Sequence, residues 1–254
     1  VDSSVVLGIA ARALTPGAGQ AVTAVSASYP AGEMDGARET ARSLSVAHEI
    51  VQTAEVEQEK YARNSITRCY HCKKELYRQL RQIMDAQSTS DYVLLCGNNA
   101  DDASDFRPGM LAATKARVRS PLLEEGIGKS AVRKIAELLR LQVADKASLS
   151  CLASRVKYGV RITPAALSRI DGAEQMIRSL GFTSVRVRHM GSEALVEVPP
   201  SETAALFNHP RLAATLEAIR GLGWSHVAVN RGGLQSGSMN ESIELPAPIL
   251  RAMA

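Results

Sequence analysis

The residues best suited to chemistry in this chain are its thiols. Cys69 and Cys72 stand in Arg68-Cys69-Tyr70-His71-Cys72-Lys73, at the start of a predicted helix. A cysteine at a helix N-terminus beside cations ionises more readily, and the thiolate is the form that attacks electrophiles and binds metal. Cys-x-x-Cys alone leaves three readings open: half a zinc site, a redox pair, or two ligands of an iron–sulfur cluster. A second such pair would single out zinc, and the sequence has none. Cys96 lies in an apolar stretch and reads as packing. Cys151, in Ser150-Cys151-Leu152-Ala153-Ser154-Arg155, has small polar neighbours and nearby Arg155 and Lys157, which favours a reactive or ligating thiol. No secretory signal is visible, so spaced thiols point to chemistry or metal in a reducing compartment rather than to structural disulfides.

Oxygen ligands and cations form a second set. Val1-Asp2-Ser3-Ser4 runs directly into a predicted helix, where Asp2 and Ser3 either cap orphan N–H groups or frame a phosphate. Gly97-Asn98-Asn99-Ala100-Asp101-Asp102 follows an apolar stretch, with Asp105 and Arg107-Pro108-Gly109 close behind. Asn, Gly and Asp are ordinary turn residues, but three aspartates exceed what a turn requires and suit Mg²⁺ or a nucleotide. Arg155 and Arg161 lie near an expected domain junction. Arg186 and Arg188 alternate with Val185 and Val187 and so share one strand face, as a carboxylate- or phosphate-bearing substrate would need. Residues 60–81 hold seven cations against Glu75 alone, either a solvated helix face or the rim of an anion site.

These residues need elements to place them. The pattern predicts a helix over 3–14, a strand over 21–29, a helix over 34–47, a strand over 48–53 and a long helix over 70–86. A strand at Tyr92–Cys96 and a helix over 128–141 follow. Alternating strands and helices imply a parallel sheet, with ligands at the carboxyl ends of its strands. After about residue 159 the order changes to helix 164–180, strand 183–189, strand 194–198, helix 202–220 and strand 224–230, an α+β module. The expected division is 1–158, 159–245 and a tail over 246–254. The 254 residues are 45% hydrophobic and 22% charged, ordinary for a globular protein, and the net charge of +4 does not by itself announce nucleic acid. No apolar run approaches the ~20 residues of a membrane span. The expected location is cytoplasmic.

In their order along the chain, these segments resemble the LarE family of sulfur-inserting enzymes, within the PP-loop ATP pyrophosphatases. Val1-Asp2-Ser3-Ser4 is similar to the end of the PP-loop signature Ser-Gly-Gly-x-Asp-Ser. The ordered set continues with Arg68-Cys69-Tyr70-x-Cys72-Lys73, Gly97-x-Asn99-x-Asp101-Asp102, Arg107-Pro108-Gly109 and Ser120-Pro121-Leu122. It ends with Cys151-Leu152-Ala153-Ser154-Arg155 and Ser236-Gly237-Ser238-Met239-Asn240-Glu241. The Ser-Gly-Gly and its preceding strand are expected upstream of Val1, as is the initiator Met.

The resemblance implies an α/β, Rossmann-like (adenine nucleotide alpha hydrolase-like) PP-loop domain and a smaller α+β domain for substrate and oligomerisation. It implies ATP with Mg²⁺ bound through Asp2, Ser3, Asn99, Asp101 and Asp102, and a mononucleotide substrate held by Arg155, Arg186 and Arg188. In the implied reaction, a carboxylate of pyridinium-3,5-biscarboxylic acid mononucleotide is adenylated and then converted to a thiocarboxylate. Sulfide is carried on a 4Fe-4S cluster held by Cys69, Cys72 and Cys151, with Cys151 also the catalytic position. The alternatives are a Cys151 that donates its own sulfur and becomes dehydroalanine, a tRNA-thiolating PP-loop enzyme, or a metal- or nucleotide-binding module without turnover. A homo-oligomer is expected, with no membrane or nucleic-acid partner.

Overall fold

The computed structural model describes residues 1–86, 92–104, 107–146 and 150–235. One compact unit comprises Val1–Leu152 with Ile162–Leu167, and the other Ala153–Arg161 with the chain from Ser168.

In the first unit, α1 (Asp2–Ala13) buries Val5 and Val6 in a cluster with Leu122, Val132, Ala136 and Leu141. β1 (Gln20–Val25) and β2 (Ala47–Gln52) flank α2 (Glu33–Ser43) and pair in parallel, Gln20 opposite Ala47 and Val25 opposite Gln52. Gly32 precedes α2 at φ 82°, a conformation costly for any residue with a Cβ. A 3₁₀ turn at Glu55–Glu57 and the short α3 (Glu59–Ala62) lead into α4 (Arg68–Ala86). Tyr77 of α4 packs on Ala112 and Ala113 of α5 (Pro108–Lys115). Two further helices, α6 (Pro121–Glu124) and α7 (Lys129–Leu138), complete the unit's helical elements up to Lys146. Val132 and Ala136 lie one turn apart on the buried face of α7.

The expected strand at Tyr92–Cys96 is not formed as such. The segment makes a single parallel bridge, Leu95 to Arg119, in which Arg119 N–H donates to the Leu94 carbonyl at 2.9 Å and Cys96 N–H to the Arg119 carbonyl at 3.0 Å. Its apolar side chains lack the second covered face that a central strand would give them, and Val93 is 64% exposed. Beside it runs an open groove of about 490 Å³, lined in part by Leu7, Val22, Ile83 and Val93.

The second half of the chain contains α8 (Pro164–Arg178), β3 (Arg186–His189), β4 (Glu193–Glu197), α9 (Pro200–Phe207), α10 (Leu212–Gly221) and β5 (His226–Val229). β3 pairs antiparallel with β4 and β4 parallel with β5, in the order β3-β4-β5. On α8, Leu167, Ile170, Ala173 and Ile177 recur at helical spacing with no exposed surface. The helix expected over 202–220 is two helices. Pro210 has no N–H to continue the ladder and disfavours helical geometry at His209. Buried Trp224 donates its indole N–H to His189 Nδ1 at 2.8 Å, and burial lowers the affinity of that imidazole for a second proton. Among the described residues no helix is long and apolar enough to cross a membrane.

Glu75 fastens α4 to the turn before it, accepting hydrogen bonds from Arg78, Gln79 and Gln58. The Arg78 hydrogen bond leads the effects that hold this carboxyl at about 2, against an ordinary 4.5. A depressed carboxyl stabilises the fold above its unfolded value and loses that contribution as pH falls through the folded one. The stability difference between wild type and Glu75→Gln, measured by urea unfolding across acid pH, is therefore expected in full above pH 4.5 and to shrink towards zero near pH 2. A difference independent of pH would contradict this.

Candidate functional site

Parallel pairing of β1 and β2 sets their carboxyl ends side by side, and the residues that follow meet there. The hydroxyls of Ser26 and Ser28, after β1, both donate to Oε1 of Glu55, after β2; the Ser28 bond is 3.0 Å long. Glu55 is buried. Leu152 N–H donates to the Ser28 carbonyl at 2.9 Å, bringing the Cys151 segment to this turn. A second tie, Ile162 N–H to the Ala62 carbonyl at 2.8 Å, fixes the chain beyond it. Cys69 and Cys72 lie on the first turn of α4. Cys69 and Cys151 are exposed and Cys72 is partly covered, and among the described residues none of the three is in a disulfide.

Burial pushes the Cys72 thiol up to about 12, helped by Glu55 and Cys151, with Lys73 opposing and Cys69 adding a smaller push. The three predicted cysteines are thus electrostatic neighbours. Among the described residues, no three His, Cys, Asp or Glu side chains stand close enough to hold a metal ion, so the thiols are adjacent without forming a closed ligand set. The donor chemistry fits an iron–sulfur cluster, since three soft sulfur ligands suit iron and a cubane can leave its fourth iron open. A bound cation would also lower the thiol affinity for protons that burial has raised.

The second set of predicted residues gathers where α1 and α7 begin. Asp2 does not spend its carboxylate on the helix end. It accepts from Asn99 Nδ2 at 3.0 Å and pairs with Lys129 Nζ. Burial works to raise the Asp2 carboxyl, but the hydrogen bond and charge of Lys129, with help from Asn99, hold it below the usual range. Ser3 is exposed at the same helix end. Asp101 Oδ2 accepts from the Lys129 N–H at 2.8 Å, and the Asp101 N–H donates to Asn99 Oδ1 at 3.0 Å. Both oxygens of Asp102 are engaged, one by Asn99 N–H at 3.0 Å and the other by Arg107 at 2.8 Å, so Asp102 fastens the turn. Asp105 lies outside the described residues.

Glycine is required at two points here. A Cβ on Gly97 would stand 2.4 Å from Ser3 N, and one on Gly128 would stand 2.8 Å from Asp101 Oδ1. Gly109 lets α5 lie against α4, where a Cβ would meet Lys73 and Cys69. Lys129 was not singled out from sequence, although Gly126-Ile127-Gly128-Lys129-Ser130 carries the small-residue-then-lysine pattern that precedes a phosphate-binding helix.

The predicted arginines divide. Arg155 has no exposed surface and its Nε is 2.9 Å from Glu174, which also pairs with Arg178. Arg188 is buried, with Nε 2.8 Å from Glu197 and Nη1 3.2 Å from the Ser154 carbonyl. These two tie the 152–155 turn to α8, β3 and β4. Arg186 shares the strand face with Arg188 but makes no hydrogen bond or ion pair among the described residues. Burial first, then Arg188 and Arg155, lowers its hold on its proton. Arg161 is exposed.

The basic stretch is partly spent internally. Arg63 pairs with Glu59, Arg78 with Glu75, Arg68 donates to Asn64, and Arg81 donates to the Ala116 carbonyl. Cys96 sits among polar groups rather than in packing, with its sulfur 3.2 Å from Ser120 Oγ and from Asn98 Nδ2. The Ser236–Glu241 segment and the 246–254 tail lie outside the described residues.

Taken together this is a mixed α/β protein with a parallel sheet whose strand ends gather thiols, consistent with an α/β nucleotide-binding domain. Its relatives agree. The chain is 38% identical over 240 residues to an uncharacterised protein of Synechocystis, covering 94% of this chain and 88% of that one. It is 31% identical over 245 residues to the pyridinium-3,5-bisthiocarboxylic acid mononucleotide synthase of Lactiplantibacillus plantarum, covering 96% and 87%. An uncharacterised protein of Methanocaldococcus jannaschii is 29% identical over 140 residues, 55% of this chain and 54% of that one. No protein-family model matches the chain. The chain belongs to the LarE-type pyridinium-3,5-bisthiocarboxylic acid mononucleotide synthase family and is a sulfurtransferase enzyme.

The two kinds of arginine are separable by measurement. Removing one partner of a fully buried ion pair leaves an uncompensated charge, so Arg155→Gln is expected to cost roughly 3–5 kcal/mol in urea unfolding. Arg186→Gln removes a half-buried cation with no partner and is expected to change stability by less than about 0.5 kcal/mol, or to raise it. Equal losses in the two variants would contradict this division.

Proposed function

We propose that the enzyme activates a carboxylate of pyridinium-3,5-biscarboxylic acid mononucleotide with ATP and replaces one carboxylate oxygen by sulfur. The observation that carries the reading is the meeting of Asp2, Asn99 and Lys129 where α1 and α7 begin, in the same unit as the three neighbouring thiols. Two helix N-termini and an ammonium group suit the phosphates of a nucleotide, because helix dipoles and positive charge converge there. We read the unit as a PP-loop domain on that basis and on the ordered motifs.

A carboxylate resists nucleophiles because its charge is delocalised and its oxygen is a poor leaving group. In the proposed sequence, its oxygen attacks the α-phosphorus of ATP and pyrophosphate departs. The resulting acyl-adenylate then accepts sulfur at the carbonyl carbon and releases AMP. Lys129 and the N–H groups of the first turns of α1 and α7 bear the phosphate charge. Asp2 holds Lys129 in place, and Asp101, which orders the start of α7 through the Lys129 N–H, would serve Mg²⁺, which would supply positive charge against the phosphates.

Cys69, Cys72 and Cys151 would hold a 4Fe-4S cluster, which when bound supplies an iron without a protein ligand to carry sulfide. Cys151 is exposed, as a residue facing the substrate must be. Its exposure equally suits the second reading, in which Cys151 gives up its own sulfur.

The activation half-reaction is tested alone by exchange of labelled pyrophosphate into ATP in the presence of mononucleotide, using the full-length protein. Asp2→Ala frees Lys129 from its partner and is expected to reduce exchange by 100-fold or more, on the order of 3 kcal/mol, in a protein that circular dichroism shows to be still folded. Undiminished exchange would remove Asp2 and Lys129 from the ATP site.

A further inference from the structure

Two main-chain edges of the first unit border one groove without partners. Gln20, Ala21, Val22 and Thr23 of β1 all line the open groove of about 490 Å³, and so do Tyr92, Val93, Leu94 and Leu95. Successive side chains of an extended segment point to opposite faces. A groove bordered by four consecutive residues therefore lies along the segment's edge, not against one face. The hydrogen bonds agree. Thr53 N–H donates to the Val25 carbonyl at 2.9 Å, which turns Val25 towards β2. Alternation then turns the N–H and C=O of Val22 and Ala24 to the other edge of β1, which has no strand partner among the described residues. In the second segment, the Leu94 carbonyl and the Cys96 N–H are bonded to Arg119, so Val93 and Leu95 present their main-chain groups the opposite way. Open rows of N–H and C=O groups are the template for a further strand. Apolar helical faces already cover the space, Val6, Leu7 and Ala10 from α1 and Leu80, Ile83 and Met84 from α4.

We propose that this groove seats an added parallel strand, supplied by the residues that run into Val1 in the full-length protein. Direction carries the assignment. β1 and β2 pair in parallel, and the Leu95 bridge to Arg119 is parallel too. A parallel strand has to return to its neighbour by a crossover, usually a helix. α1 has the placement of that helix. Its first turn lies at the carboxyl end of the second segment, where a Cβ on Gly97 would stand 2.4 Å from Ser3 N. Its last turn leads to Gln20, the amino end of β1. A strand that ends at Val1 thus finishes where α1 begins, and strand, α1 and β1 form one strand–helix–strand unit. Joined so closely to α1, this segment meets the open edges at a higher effective concentration than any separate chain. Helices over the groove imply a run of about six residues that is apolar nearly throughout, as in strands buried on both faces. Paired on both sides, the strand would anchor the start of α1, and Asp2 with it. None of this depends on the reaction proposed above.

The test is amide hydrogen exchange on the full-length wild-type protein, joined by photo-crosslinking from p-benzoylphenylalanine placed at Val93, whose side chain borders the groove. The amides of the residues just before Val1, with those of Val22, Ala24, Val93 and Leu95, are expected to exchange on the order of 100-fold more slowly than in an unstructured chain. That protection is expected to be the same at high protein concentration and after tenfold dilution. The crosslinker at position 93 is expected to join residues before Val1 of its own chain. Upstream amides that exchange at the unstructured rate overturn the proposal. Protection of Val22 and Leu95 that fades on dilution assigns the groove to a second copy and overturns it as well. Adducts confined to other segments, in a folded protein, also overturn it, because the upstream residues would then be protected elsewhere. Exchange needs no substitution, so it decides by itself if the protein carrying the crosslinker does not fold.

Discussion

The salt bridge between Asp2 and Lys129 joins the first turns of α1 and α7 across 127 positions of sequence. Much of this end of the first unit depends on it. The same lysine presents its backbone N–H to Asp101, and the same aspartate takes the Asn99 amide, so the three segments cannot move independently. Gly97 makes the arrangement possible, because any larger residue would drive a Cβ into the backbone of Ser3. The pair also leaves the site with a cation whose partner is a partly buried carboxylate. A ligand with several negative charges can compete for that cation, as the proposed phosphate site requires.

The thiol end follows a different constraint. Burial and the carboxylate of Glu55 both oppose a thiolate at Cys72, so in the absence of a cation this thiol keeps its proton. A thiol that keeps its proton avoids the oxidation that thiolates invite. Glu55 itself is carried by two serine hydroxyls of the β1 turn, and the backbone of that turn holds Leu152. One turn therefore sets both the electrostatics of the cysteines and the position of the third one.

The sequence was most informative where a local pattern carried the physics. The apolar spacing of α1, α7 and α8, the parallel pair β1 and β2, and the Cys-x-x-Cys on the first turn of α4 were all legible. Arg107-Pro108-Gly109 was legible as a motif but not as a mechanism; its arginine holds Asp102 and its glycine clears space against Cys69. Elsewhere the deciding contacts were distant. Tyr92–Cys96 has the composition of a strand, and only the absence of a second covered face shows that it is a single bridge. Arg155 and Arg188 were expected to hold an anionic substrate, yet Glu174 and Glu197, in separate elements, pair with them. Pairings between distant acids and bases have no signature in either segment alone, which is why Lys129 emerged only from the three-dimensional arrangement.

The central claim is that Cys69, Cys72 and Cys151 act together to carry sulfur repeatedly. Its most direct measurement is the mass of the protein after anaerobic turnover with ATP, mononucleotide, iron and excess sulfide, together with the sulfur transferred per chain. The account predicts several sulfur atoms transferred per chain, bound iron, and an unaltered Cys151. A chain lighter by one H₂S, with dehydroalanine at position 151, no bound iron and a single sulfur transferred, would contradict it.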